Sequence, residues 1–127
     1  MKSLSTLTAL AALLGCTLAL DAAAATIRVQ CEARPGRAKI SVDAKSLAAG
    51  RYSTSVRSGS NIATFPATAA VGGEIETDYD SNPADIAAGA TAISPTFITG
   101  GLVVAKVLDA SGNTVIVDAV TCRVRTR

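Results

Sequence analysis

The chain has 127 residues, with 12 Lys and Arg against 10 Asp and Glu, no histidine, no tryptophan and a net charge of +2. That length holds one domain of ordinary size, and the charge is too small to imply a polyanion partner such as nucleic acid. An aromatic content of 3% argues against sugars or single strands bound by stacking, and the missing histidine removes the commonest general base, every Ser-His-Asp or Cys-His device and most zinc catalysis.

The chain opens with Met1-Lys2, runs through mostly apolar residues from Leu4 to Leu20, and reaches Asp21 followed by four alanines. A charged start, an apolar middle and a small-residue end make a secretory signal peptide over residues 1–25, cleaved most simply before Thr26. The run falls short of the ~20 residues that cross a bilayer, so no transmembrane segment is expected in the mature chain. Leu13-Leu14-Gly15-Cys16 also fits a bacterial lipobox, which would make Cys16 the acylated first residue of a surface lipoprotein. The residues after Cys16 stay apolar, as the middle of a signal peptide does. Cleavage before Thr26 leaves Cys31 and Cys122, an even number that suits an oxidising compartment. Residues 26–127 are then read as a single domain.

From Thr26 onward, alternation with a period of two recurs between turn residues, each run a strand with one wet face. Ile27, Val29 and Cys31 alternate with Arg28, Gln30 and Glu32, and Ile40 and Val42 with Lys39, Ser41 and Asp43. Tyr52, Thr54 and Val56 alternate with Arg51, Ser53, Ser55 and Arg57. Just before them, Leu47-Ala48-Ala49-Gly50-Arg51-Tyr52 resembles the Leu-x-x-Gly-x-Tyr turn-into-strand of many exported sandwich modules. Asn61–Ala67 is a weaker strand, closed by Pro66.

Ile75, Thr77 and Tyr79 alternate with an acidic row, Glu74, Glu76, Asp78 and Asp80. Those carboxylates share one face of one strand and are not opposed across a cleft, the arrangement glycoside hydrolysis needs. Asp78-Tyr79-Asp80-Ser81-Asn82 matches the first half of a calcium loop, but Pro83 stands where an EF-hand has Gly, and Gly89 where it has the bidentate Glu. An irregular calcium site could gather Asp78, Asp80, Asn82 and Asp85; the alternative is a solvated strand end. Asn82, Pro83, Asp85 and Gly89 supply a cap, a first-turn proline, a first-turn acid and a stop, which predicts a short helix near 82–88. The paired glycines Gly72-Gly73 and Gly100-Gly101 lack the lysine and helix start of a phosphate loop.

The C-terminal third is nearly continuous in apolar and β-branched residues over 101–108 and 114–124, with Asp109-Ala110-Ser111-Gly112-Asn113 as a tight turn. This predicts a long hairpin, central and covered on both faces. Cys31 shares a face with Val29, and Cys122 with Val120 and Val124. A Cys31–Cys122 disulfide between the first and last strands follows, with a structural role. Arg28, Arg123, Arg125 and Arg127 then point outward as a basic stripe, either for an anionic partner or as a charged edge that discourages strand addition.

Together these readings predict an all-β chain: a small immunoglobulin-like two-sheet sandwich of six or seven strands, clasped by one disulfide. The expected function is that of an exported, non-catalytic structural or binding module of the bacterial periplasm, cell surface or extracellular space. It would have an unidentified protein or cell-envelope partner, no nucleic acid, and scope for self-association. No cofactor is expected unless the acidic segment 74–85 takes calcium, the alternative function; the lipoprotein anchored at Cys16 is the other.

Overall fold

The computed structural model describes residues 24–126. Most of the expected signal segment, with Cys16, and also Arg127 lie outside the described residues. In chain order the elements are β1 (Thr26–Arg34), β2 (Arg37–Lys45), β3 (Arg51–Ser58), β4 (Asn61–Ala69), β5 (Ile75–Asp80), α1 (Pro83–Ala87), β6 (Thr91–Ala92), β7 (Leu102–Leu108), β8 (Thr114–Thr121) and β9 (Arg123–Val124). They form a five-stranded sheet, β6-β5-β2-β1-β9, and a four-stranded sheet, β4-β3-β7-β8. Among the described residues the chain is therefore nearly all-β with one short helix. It has more strands than expected because β6 and β9 are two-residue additions at the edges of one sheet.

The alternation seen in the sequence becomes the two inner faces. Ala38, Ile40, Val42 and Ala44 of β2 are fully buried, as are Val56 of β3 and Val103, Ala105 and Val107 of β7. Burying each Val or Ile stabilises the fold by about 1.5–3 kcal/mol. The inner layer is not wholly apolar. Thr54 of β3 meets the Thr77 hydroxyl of β5 at 2.9 Å and also hydrogen-bonds the Tyr79 hydroxyl, which donates to the Thr54 carbonyl at 3.1 Å. These groups are all buried, so their hydrogen bonds tie one sheet to the other at a defined register. Burial raises the Tyr79 hydroxyl's pKa, a rise that its hydrogen bonding to Thr54 only partly offsets.

Local chemistry sets the connections. Tyr52 swings its hydroxyl back to donate to the Ala48 carbonyl at 2.7 Å, pinning the turn between β2 and β3. Leu47 beside it is held by Gly73, whose carbonyl accepts the Leu47 N–H at 2.9 Å. Gly73 has φ +76°, and a Cβ there would lie 3.1 Å from the Leu47 carbonyl oxygen, so this approach favours glycine. In α1, the Asn82 side-chain oxygen accepts the Ala84 N–H at 2.9 Å, the cap expected from the sequence. Asp109 Oδ1 accepts the Ser111 and Asn113 N–H groups and closes the β7–β8 turn.

Two expectations change. The segment from Asn61 does not close at Pro66; β4 runs on to Ala69, because an edge strand can lose an N–H there without breaking the ladder. The β7–β8 hairpin is neither central nor covered on both faces. β8 is the edge of its sheet, and on the outer face Leu102 is 49% and Val117 52% exposed. Near-continuous apolar sequence thus reflects one buried row beside one exposed aliphatic row.

Candidate binding surfaces

After Thr121 the last strand changes sheets. β8 pairs antiparallel with β7, the chain turns at Cys122, and β9 then pairs parallel with β1, Arg123 opposite Glu32 and Val124 opposite Ala33. Cys122 sits at this crossing, 6% exposed, and is disulfide-bonded to Cys31 of β1 across a Cα–Cα distance of 4.8 Å. Backbone bonds flank it: Cys122 N–H to the Gly101 carbonyl at 2.7 Å and Arg125 N–H to the Ala33 carbonyl at 2.8 Å. The bridge closes a span of 91 residues, worth on the order of 4 kcal/mol in the chain-entropy picture.

The acidic corner gathers less than its sequence suggests. Asp80 is 1% exposed, while Glu74, Glu76 and Asp78 stay exposed. Arg37, the first residue of β2, reaches the Asp80 carboxylate with Nε at 3.2 Å and Nη2 at 3.0 Å, and the same Nη2 lies 3.0 Å from Asp85 Oδ2. The guanidinium therefore stands between two of the four proposed calcium ligands. The other two are also engaged: Asp78 Oδ1 accepts the Ser41 hydroxyl at 2.8 Å, and the Asn82 side chain caps α1. A hollow of about 210 Å³ at this corner includes Lys39 among its lining residues with Asp78, Asp80 and Asp85. Desolvation pushes the Asp80 carboxyl up, but the Arg37 hydrogen bonds and charge and the Asn82 N–H outweigh it and hold the group below its ordinary value. Its hydrogen bonds to Asp80 and the charges of Asp80 and Asp85 raise Arg37 in turn. The sequence reading missed Arg37, because its partners become neighbours only when β2 pairs with β5, Lys39 opposite Asp80.

The basic stripe is divided. Arg125 Nε lies 3.3 Å from Glu32, whose other partner is Arg34 at 2.6 Å, and Arg123 is opposite Glu32 in the ladder. Desolvation opposes ionisation of Glu32, but Arg34, Arg125 and Arg123 hold its pKa below the usual value. Arg28 stands apart, paired in register with Asp43. One Asp43 oxygen is buried without a hydrogen-bond partner among the described residues. Along β1, a groove of about 500 Å³ is lined by Gln30, Glu32, Lys39, Ser41, Thr121 and Arg123, together with Val29 and Cys31. This outer surface of the five-stranded sheet mixes both signs of charge and pairs several of them internally.

The outer surface of the four-stranded sheet differs. Its β3 row is Arg51, Ser53, Ser55 and Arg57; its β7 row is Leu102, Val104, Lys106 and Leu108; Val117, Ala119 and Thr121 of β8 and Ile62 and Thr64 of β4 flank them. Among the described residues this face carries three cations, Arg51, Arg57 and Lys106, and no carboxylate. None of the three has an ion-pair partner there, although Arg51 donates to the Ala67 carbonyl at 2.8 Å. Ser55 is opposite Lys106 and Arg57 opposite Val104, so Arg57 and Lys106 are diagonal neighbours. A hollow of about 210 Å³ lies among Ser55, Arg57, Ile62, Val104 and Lys106. The β8 edge of this face is blunted by Asp118, which takes the inward register between Ile116 and Val120, opposite Ala105.

Compared with known proteins, the chain matches no family model, no curated protein and no solved structure.

Proposed function

We propose that the chain is an exported, non-catalytic structural or binding module, an immunoglobulin-like sandwich of the bacterial periplasm, cell surface or extracellular space. The observation that carries this reading is the Cys31–Cys122 disulfide, placed where the last strand crosses from one sheet to the other. A structural bridge of this kind belongs to an oxidising compartment, and the leader-like residues 1–25 supply the route. The strand order supports the finer fold assignment. β4-β3-β7-β8 opposite β5-β2-β1 corresponds to the C′-C-F-G and E-B-A arrangement of immunoglobulin-type sandwiches. The chain departs from the antibody pattern in having no tryptophan and in bridging β1 to the crossing between β8 and β9 instead of the B and F strands.

The test is intact-mass analysis of the protein from fractionated native cells, alkylated with and without reductant. A chain beginning at Thr26 with no free thiol, in the exported fraction, is expected. A chain that retains Met1 and carries alkylatable Cys31 and Cys122 in the cytoplasm would overturn the reading. A diacylated N-terminus at Cys16 would replace it with the lipoprotein.

A further inference from the structure

The four-stranded sheet presents an outer face whose chemistry is one-sided. Ile62 is 60%, Leu102 49% and Val117 52% exposed on it, and among the described residues its charged side chains are all cationic. Exposed aliphatic side chains grouped with unopposed cations mark an interaction surface. We propose that this face docks on an anionic lipid bilayer, with Arg57, Lys106 and the Ser55 hydroxyl receiving a lipid phosphate and the aliphatic residues around them resting at the acyl boundary. The inference rests on the reading of the chain as a binding module, but not on its export.

Three features select a lipid surface over a protein partner. Among the described residues the face holds no aromatic side chain, one of the anchor types that protein interfaces seat in pockets. Its hollow of about 210 Å³ is bounded by aliphatic chains, Ile62 and Val104, next to the two cations. A second copy of the same face would bring Arg57 and Lys106 against their own like charges, which is repulsive. A bilayer needs neither pockets nor register: phosphates satisfy the cations, and exposed Val, Leu and Ile enter the interfacial region. The opposite surface of the molecule lacks this character because Glu32, Asp80 and Asp85 already neutralise cations there.

The experiment is co-sedimentation of the oxidised protein with phosphatidylcholine vesicles and with vesicles containing about 30% phosphatidylglycerol, across a salt series. Binding to the anionic vesicles only, weakening as salt rises, is expected. Arg57→Gln and Lys106→Gln should each weaken it about five-fold, and the double variant about 25-fold. Lys45→Gln makes the same charge change on the other sheet and should leave binding unchanged. Equal binding to both vesicle types, indifference to the double variant, or equal loss with Lys45→Gln would each overturn the proposal. So would no vesicle binding at all, including the case where soluble polyglutamate binds instead, which would assign the face to an acidic protein. Vesicle binding reads the face alone, so it can fail while the mass analysis still supports an exported module.

Discussion

The two outer faces of the sandwich are built by the same alternation and differ in what their charges do. On the five-stranded sheet, Arg37 holds Asp80 and Asp85, and Glu32 holds Arg34 and Arg125. On the four-stranded sheet, Arg57 and Lys106 stand among Ile62, Val104 and Val117 with no carboxylate among the described residues. Alternation decides which side chains leave the core. Whether those side chains stabilise the fold or remain free for a partner depends on which strands the topology sets side by side. Substitutions on the first face should therefore cost stability, and those on the second should not.

The sharpest break of that contrast is at the crossing between the sheets. Cys31→Ala with Cys122→Ala should cost about 2–5 kcal/mol, a fall in Tm on the order of 10–20 °C in a domain this small. A parent-like melting temperature would mean that β9 holds its place beside β1 without the bridge. Next in size is Asp80→Asn, which leaves the Arg37 guanidinium without its main partner and should cost about 2 kcal/mol at neutral pH through the lost charge-assisted hydrogen bonds. Asp80 ionises below its ordinary value of about 3.8, so this stabilisation is complete above that value and is lost as the pH falls through the lower, folded value. Urea melts of parent and variant should therefore converge in acid; a gap that persists unchanged at low pH would place the cost in packing instead.

Smaller again is the shared interior. Thr54→Val strands the Thr77 hydroxyl and removes one partner from Tyr79, for an expected loss of about 1–2 kcal/mol by urea denaturation. A neutral result would show that the two sheets register through apolar packing alone. On the open face, Arg57→Gln with Lys106→Gln should stay within about 0.5 kcal/mol of the parent in the same assay. A larger loss would make these cations structural and erase the contrast between the faces. The last expected effect is nil: melts in EDTA and in millimolar calcium should coincide, because Arg37 already lies between Asp80 and Asp85. Calcium bound only to the folded form would instead raise stability by about 2.7 kcal/mol at a hundred times Kd, and that result would put the cation in place of the guanidinium.

Much of the fold was legible along the chain because strand parity and turn chemistry are local. The inward positions Val29, Ile40, Val42, Val56 and Tyr79, the Asn82 cap and the Asp109 turn all follow from neighbours within a few residues. The pairing of Cys31 with Cys122 was legible for a different reason: after Cys16 is set aside, two inward cysteines leave one choice. The candidate surfaces were less accessible. The acidic row read as a single exposed ladder, yet Asp80 is buried and belongs to Arg37, 43 residues away in sequence. The arginines at the chain end read as one stripe, yet Glu32 divides their role by pairing with Arg125 while Arg28 faces Asp43.

Composition, alternation and the cysteine count by themselves determined an all-β chain with one disulfide, its inner rows and most of its turns, since each depends on spacing along the backbone. Only the tertiary structure decided which strands lie at the edges, that the final hairpin leaves its outer row uncovered, and that Arg57 and Lys106 are neighbours while Arg37 takes two carboxylates. Those outcomes depend on lateral strand order. β3 beside β7 and β2 beside β5 join segments tens of residues apart, and the alternation within each strand is compatible with many such orders.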